Sequence, residues 1–257
     1  MQIGALAGNF DVAELALALF GLFFVGLVIY LQRESNREGF PLRNLNGAAL
    51  ASTGLSGLPA VKTFRLPGGG QVQAPRREAD ETLAPHVPAR FPGGPIEPLE
   101  DKFVAALGPA AYARRADVPD RGFPDGAPRI APMRADPSYQ VAAEDRTPLG
   151  AVVLAADGGV VGKVHDLWFD RAEALVRYYE IALLPEFSGR NVLVPATMAD
   201  IRPNGSFVVD SLLGPQFANV PATKSLNEVT LLEEDQISAY FAAGTLYATP
   251  ARAEPLL

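Results

Sequence analysis

Three carboxylates fall within eight positions of one another: Asp166, Asp170 and Glu173. Asp166 and Asp170, four apart in a stretch that reads as a regular strand, are expected to share one face, with Glu173 following at a turn. Carboxylates that are crowded or partly buried have raised pKa values, which brings them toward the range where they both accept and release protons. That is the chemistry of a proton relay. From spacing alone, a solvated acidic turn is the commoner outcome. His165 stands beside Asp166, and in such a place a histidine is more often a satisfied structural residue than a relay member. Trp168 and Phe169 suit a domain core better than a ligand contact.

Other chemistries find little support. The chain has no cysteine, which excludes disulfides, thiolate catalysis and Cys-based zinc sites. Its two histidines, His86 and His165, lie far apart, so a His-rich metal centre is not expected. A net charge of −7 without a basic stripe argues against nucleic acid as a partner. No P-loop, dinucleotide fingerprint or nucleophile–base arrangement is evident, and GGG at 68–70 precedes no helix. The expectation is a protein that is not an enzyme.

The elements that must position the acids differ sharply along the chain. Residues 15–31 read LALALFGLFFVGLVIYL, without a charge. At about 1.5 Å per residue the run covers roughly 26 Å, and with its flanks it reaches the ~30 Å of a hydrocarbon core. Such a segment must be helical, because lipid offers its backbone no hydrogen-bond partner. Asp11 and Glu14 precede it while Arg33, Arg37 and Arg43 follow, the reverse of a signal peptide. The positive-inside rule then places the C-terminal side in the cytoplasm. Tyr30 sits where an interface anchor belongs, and it is also a candidate contact for an anionic lipid headgroup.

Between residues 36 and 137 prolines are too dense for a long helix or a central strand. Apolar residues are interspersed, so this segment reads as an extended strap that orders against partner surfaces. One short helix is predicted at 101–116, bent or broken at Pro109. From residue 150 the pattern changes to short β-like runs. AVVLA at 151–155 and VVGKVHDLWFD at 160–170 flank the turn Asp157-Gly158-Gly159; further strands are expected at 175–184, 191–194, 199–202 and 206–210, with Asn204-Gly205 as a second hairpin turn. A terminal helix is predicted near 232–243, its first turn carrying Glu233, Glu234 and Asp235 and its end marked by Gly244.

GGVVGKVHDLWFD at 158–170 followed by LVRYYEIAL at 175–183 resembles the PRC-barrel, a small β-barrel. YLQRESNREGFPL at 30–42, KTF at 62–64, GPAAYARRADVPD at 108–120 and EVTLLEED at 228–235 are similar, in the same order, to the H subunit of the purple-bacterial photosynthetic reaction centre. The resemblance implies a single transmembrane helix plus a mainly-β cytoplasmic domain, built as a small antiparallel PRC-type barrel with an extended Pro/Gly-rich strap and a C-terminal helix. The expected divisions are a periplasmic N-terminus at 1–11, the membrane helix at 12–35, the strap at 36–140 and the barrel with its helix at 141–257. The implied location is the bacterial inner, intracytoplasmic membrane.

The resemblance further implies a non-catalytic subunit that caps the cytoplasmic face of the L and M subunits, with a cytochrome subunit and an antenna ring as further candidate neighbours beside membrane lipids. Bacteriochlorophyll, bacteriopheophytin, quinones and non-haem iron would reside in those partners and none in this chain alone. Its implied tasks are to stabilise the complex and to conduct protons to the secondary quinone. Asp170 and Glu173 fall on acids that the H subunit uses for proton delivery, Asp166 would extend the cluster, and Arg177 would be its tuning cation. Some H subunits carry a pair of histidines at the proton-uptake surface; this sequence has GFPDGAPR at 122–129 instead, leaving Asp125 as a surface acceptor. The rival reading is a membrane-anchored PRC-barrel adaptor that recruits a cytoplasmic partner.

Overall fold

A computed structural model of the chain describes residues 5–7, 10–39, 57–66, 69–75, 84–87, 91, 94–122 and 125–253. The chain divides into two compact units, Met1–Glu81 and Thr82–Leu257.

In the first unit, Asp11 opens the helix α1 (Val12–Ser35) by accepting hydrogen bonds from the backbone N–H groups of Ala13 and Glu14 at 2.8 and 2.9 Å. No side chain of α1 is buried, although most are large and apolar. An exposed surface of that kind needs lipid or partner chains around it. Past its end, Arg37 grips Glu34 at 2.9 Å and donates to the carbonyls of Ala60 and Ala74 at 2.8 and 2.7 Å, fastening a hairpin of Lys62–Arg65 and Gln71–Ala74.

The second unit holds a seven-stranded sheet: β1 (Ile130–Pro132), β2 (Val152–Ala155), β3 (Val160–Asp170), β4 (Leu175–Leu183), β5 (Asn191–Pro195), β6 (Asp200–Ile201) and β7 (Phe207–Val209). The order is β5-β4-β3-β2-β7-β6, with β1 added to the far end of β3, and the sheet curls into a half-barrel. The first half of β3 thus pairs β2, its second half pairs β1, and β4 runs along both. One pair departs from the expected antiparallel pattern, since β7 lies parallel to β2. Phe207, Val208 and Val209 are all buried, and that burial holds the short strand in an interior place that its direction does not decide. The sheet also begins earlier than residue 141, because β1 comes from the proline-dense segment assigned to the strap.

Two local expectations change. No helix forms over 101–116: a single turn closes from Asp101 to Ala105, positive φ angles at Ala106 and Gly108 reverse the chain, and a 3-10 turn follows at Gly108–Ala110. The ring of Pro109 removes a donor, and Leu107 and Ala110 are buried. The C-terminal helix α2 (Leu231–Tyr247) runs past Gly244. It starts at a capping box, Thr230 with Glu233, and lays Ile237, Tyr240 and Phe241 into the core beside Trp168, Phe207 and Phe217.

Candidate functional site

The turn from β3 into β4 is organised by one side chain. Asp170 ends β3, and its Oδ1 accepts from the backbone N–H groups of Ala172 (2.9 Å) and Glu173 (3.1 Å), which shapes the turn and allows Ala174 its positive φ. Arg129 Nε also donates to Oδ1, at 3.1 Å, while Arg177 Nη2 and Nε reach Oδ2 at 3.3 and 3.4 Å. The side chain is only 2% exposed. Glu173, half exposed, accepts Arg129 Nη2 on one oxygen at 2.9 Å and Arg177 Nη2 on the other at 2.8 Å. Two carboxylates and two guanidiniums form one ring of charge-assisted hydrogen bonds.

For Asp170 this overturns the expectation that crowding raises the carboxyl. Burial pushes the Asp170 carboxyl up, but the Arg129 guanidinium, the two backbone N–H groups and Arg177 more than offset it, holding the carboxyl below the usual aspartate range. In turn, the hydrogen bond to Asp170 raises the Arg129 guanidinium above its ordinary value.

Asp166 does not join this ring. The pairing of β3 with β4 slips twice, between Val176 and Tyr178 and between Glu180 and Ile181, and residues 166–170 are all buried, so burial does not alternate along this stretch. Asp166 and Glu180 instead share Arg134, whose Nη1 donates to them at 2.8 and 2.5 Å. Trp168 Nε1 and Asn191 Nδ2 donate to the two oxygens of Glu180 at 2.8 and 2.6 Å. The Arg134 guanidinium also bonds the carbonyl of Leu226, tying down the loop before α2.

Asp125 is exposed and pairs with Arg171 at 3.3 Å, next in sequence to Asp170 but outside its ring. Tyr30 is exposed on α1. His165 is exposed on β3 rather than packed in the barrel, whereas Trp168 and Phe169 are buried, the latter stacked on Tyr139 at 3.9 Å. Among the described residues no group of three or more His, Cys, Asp or Glu side chains is placed to hold a metal ion.

The ring lines a cleft of about 460 Å³ whose walls include Arg129, Asp170, Glu173, Arg177, Tyr178 and Glu234. Three of the charged groups at work here were not singled out from sequence. Arg129 and Arg134 bracket β1, three residues with a proline that give no periodic signal, so no local pattern announces their partners. Glu234 reads from sequence only as one of three acids suited to a helix start, and no local pattern sets it apart from Glu233 and Asp235.

Comparison with protein families gives two matches. Residues 4–135 match the model described as photosynthetic reaction centre, H-chain N-terminal region, and residues 141–212 match the PRC-barrel domain.

Proposed function

From the premise that this chain belongs to the photosynthetic reaction centre H-chain family and is a subunit of that complex, we propose that it caps the cytoplasmic side of the L and M subunits and conducts protons to the secondary quinone. The observation that carries the proposal is the charged ring of Asp170, Glu173, Arg129 and Arg177 at the edge of an open cleft. Reduction of a quinone to a quinol consumes two electrons and two protons. A quinone bound within the membrane has no bulk water to draw on, so protons must reach it along fixed groups.

In this reading Asp170 is the fixed negative charge of the ring. Its clamped carboxylate lowers the cost of a proton beside it. Glu173, half exposed and held through both oxygens, is the group that meets water and passes the proton inward. Asp166 belongs to a separate network and is assigned a structural role, and Asp125 an outlying surface acceptor. Pigments, quinones and iron are assigned to the partner subunits.

The bare surface of α1 supports contact with lipid and with partner helices, with Tyr30 at the headgroup level. Acids before the helix and arginines after it support a periplasmic N-terminus and a cytoplasmic sheet domain. Two measurements test the proposal. The chain should copurify with pigmented partner chains, and a colourless preparation would favour the adaptor reading. In the assembled complex Glu173→Gln should slow proton-coupled transfer of the second electron to the secondary quinone; unchanged kinetics across neutral pH would remove Glu173 from the route.

A further inference from the structure

The cleft has a second wall, contributed by the first turn of α2. Three consecutive acids stand there, and the structure gives each a different task. Glu233 is consumed by the capping box, its oxygens accepting the backbone N–H groups of Thr230 at 2.8 Å and Lys224 at 2.7 Å. Asp235 pairs with Arg115 at 3.5 Å. Glu234 turns into the cleft, where the Tyr178 hydroxyl donates to its Oε2 over 3.4 Å.

The contrast with the opposite wall is chemical. Asp170 is bound by two guanidiniums and two backbone donors, and Glu173 by the same two guanidiniums. Adding a proton to either breaks charge-assisted bonds. Glu234 is a half-buried carboxyl of the same cleft that, among the described residues, accepts from one neutral hydroxyl and joins no ion pair, so protonating it breaks none. We propose that Glu234 is a proton-carrying residue of this cleft, exchanging a proton with Glu173 across it, while Tyr178 is the positioning residue that holds its carboxyl. The inference rests on the proton-conducting reading above and adds to it a residue on a different element.

Burial raises the Glu234 carboxyl above the ordinary glutamate range; Arg115 and the Tyr178 hydroxyl oppose that shift, and Asp120 and Asp235 reinforce it. Arg129, Arg177, Asp170 and Glu173 face it from the other wall. The step balances simply. A water in the cleft delivers a proton to the Glu234 carboxylate, giving the neutral acid, and the acid returns it through water to Glu173, so only O–H bonds form and break.

The test uses the assembled complex, with second-electron transfer to the secondary quinone followed against pH and carboxylic C=O bands followed in light-minus-dark infrared difference spectra. Glu234→Gln should slow the transfer about tenfold or more and delete one carboxylic band. Glu234→Asp, which keeps a carboxyl, should restore most of the rate. Tyr178→Phe removes a hydrogen bond that favours the charged form, so the pH at which the band is lost should move upward. If Glu173→Gln is slow while Glu234→Gln, with normal pigment absorption, runs at the wild-type rate, this inference is overturned and the proton-conducting role stands. If Glu234→Asp is as slow as Glu234→Gln, the loss is structural and the inference is equally overturned. Wild-type rates in both Glu173→Gln and Glu234→Gln would remove the proton-conducting reading itself.

Discussion

Arg129 Nε donates to Asp170 Oδ1 over 3.1 Å across 41 residues of sequence. The bond joins the residue before β1 to the last residue of β3, and the strand pairing of Ile130 with Asp170 keeps it in place. It has a pH signature. Asp170 is held below its ordinary value of 3.8, so on acidification the unfolded chain binds this proton first. The stability it contributes is fully present above that ordinary value and is lost as pH falls through the lower folded value. Thermal unfolding of the purified complex should therefore show an acid-side loss below about pH 4 that Asp170→Asn flattens, while lowering stability at pH 7. An identical acid limb in both proteins contradicts the assignment.

Arg134 serves two buried carboxylates, Asp166 and Glu180, whose side chains are 8% and 5% exposed. Arg134→Met keeps the stem and removes the charge. It should cost about 3–5 kcal/mol in denaturant unfolding, because two desolvated carboxylates lose their cation. Glu180→Gln added to Arg134→Met should recover part of that loss. Strict additivity of the two changes in a double-mutant cycle would show that the guanidinium is not coupled to Glu180.

Gly244 sits inside α2, where alanine ordinarily stabilises by about 1 kcal/mol. Here a Cβ would lie 2.3 Å from the Ser211 carbonyl oxygen and 2.6 Å from Leu212 Cδ2. The first contact is backbone and cannot rotate away. Overpacking of this kind costs about 1–3 kcal/mol or more, so Gly244→Ala should be net destabilising in a thermal melt of the complex. A raised melting temperature would mean that α2 shifts freely over β7.

The same glycine shows what local pattern conveys and what it does not. Read along the chain, Gly244 marks a helix end; in three dimensions it is the place where α2 touches the chain just past β7. The strands β2 and β3 are legible because alternation and the Asp157-Gly158-Gly159 turn between them are short-range signals, and Gly158 does adopt the positive φ that the turn needs. The acids Asp170 and Glu173 were legible as a pair, and Arg177 lies near them in sequence. The lowered Asp170 was not legible, because its strongest cation arrives from residue 129. Nor is the separation of Asp166, whose cation, Arg134, also comes from a distant part of the chain. The apolar spacing at 101–116 suggests a helix, and two positive φ angles, at Ala106 and Gly108, with Pro109 directly after them defeat it.

Strand β1 is three residues long, yet it sits between Arg129 and Arg134, and each of those guanidiniums neutralises a different pair of buried or half-buried acids. The two family matches end at 135 and start at 141, and the strand lies wholly in the first. A fragment cut at the seam between them would therefore lose an edge of its sheet together with Arg129 and Arg134, leaving Arg177 alone against Asp170 and Glu173. The boundary that homology draws through this chain is not a boundary of folding: the segment before the seam lends a strand and two cations to the acids of the domain beyond it.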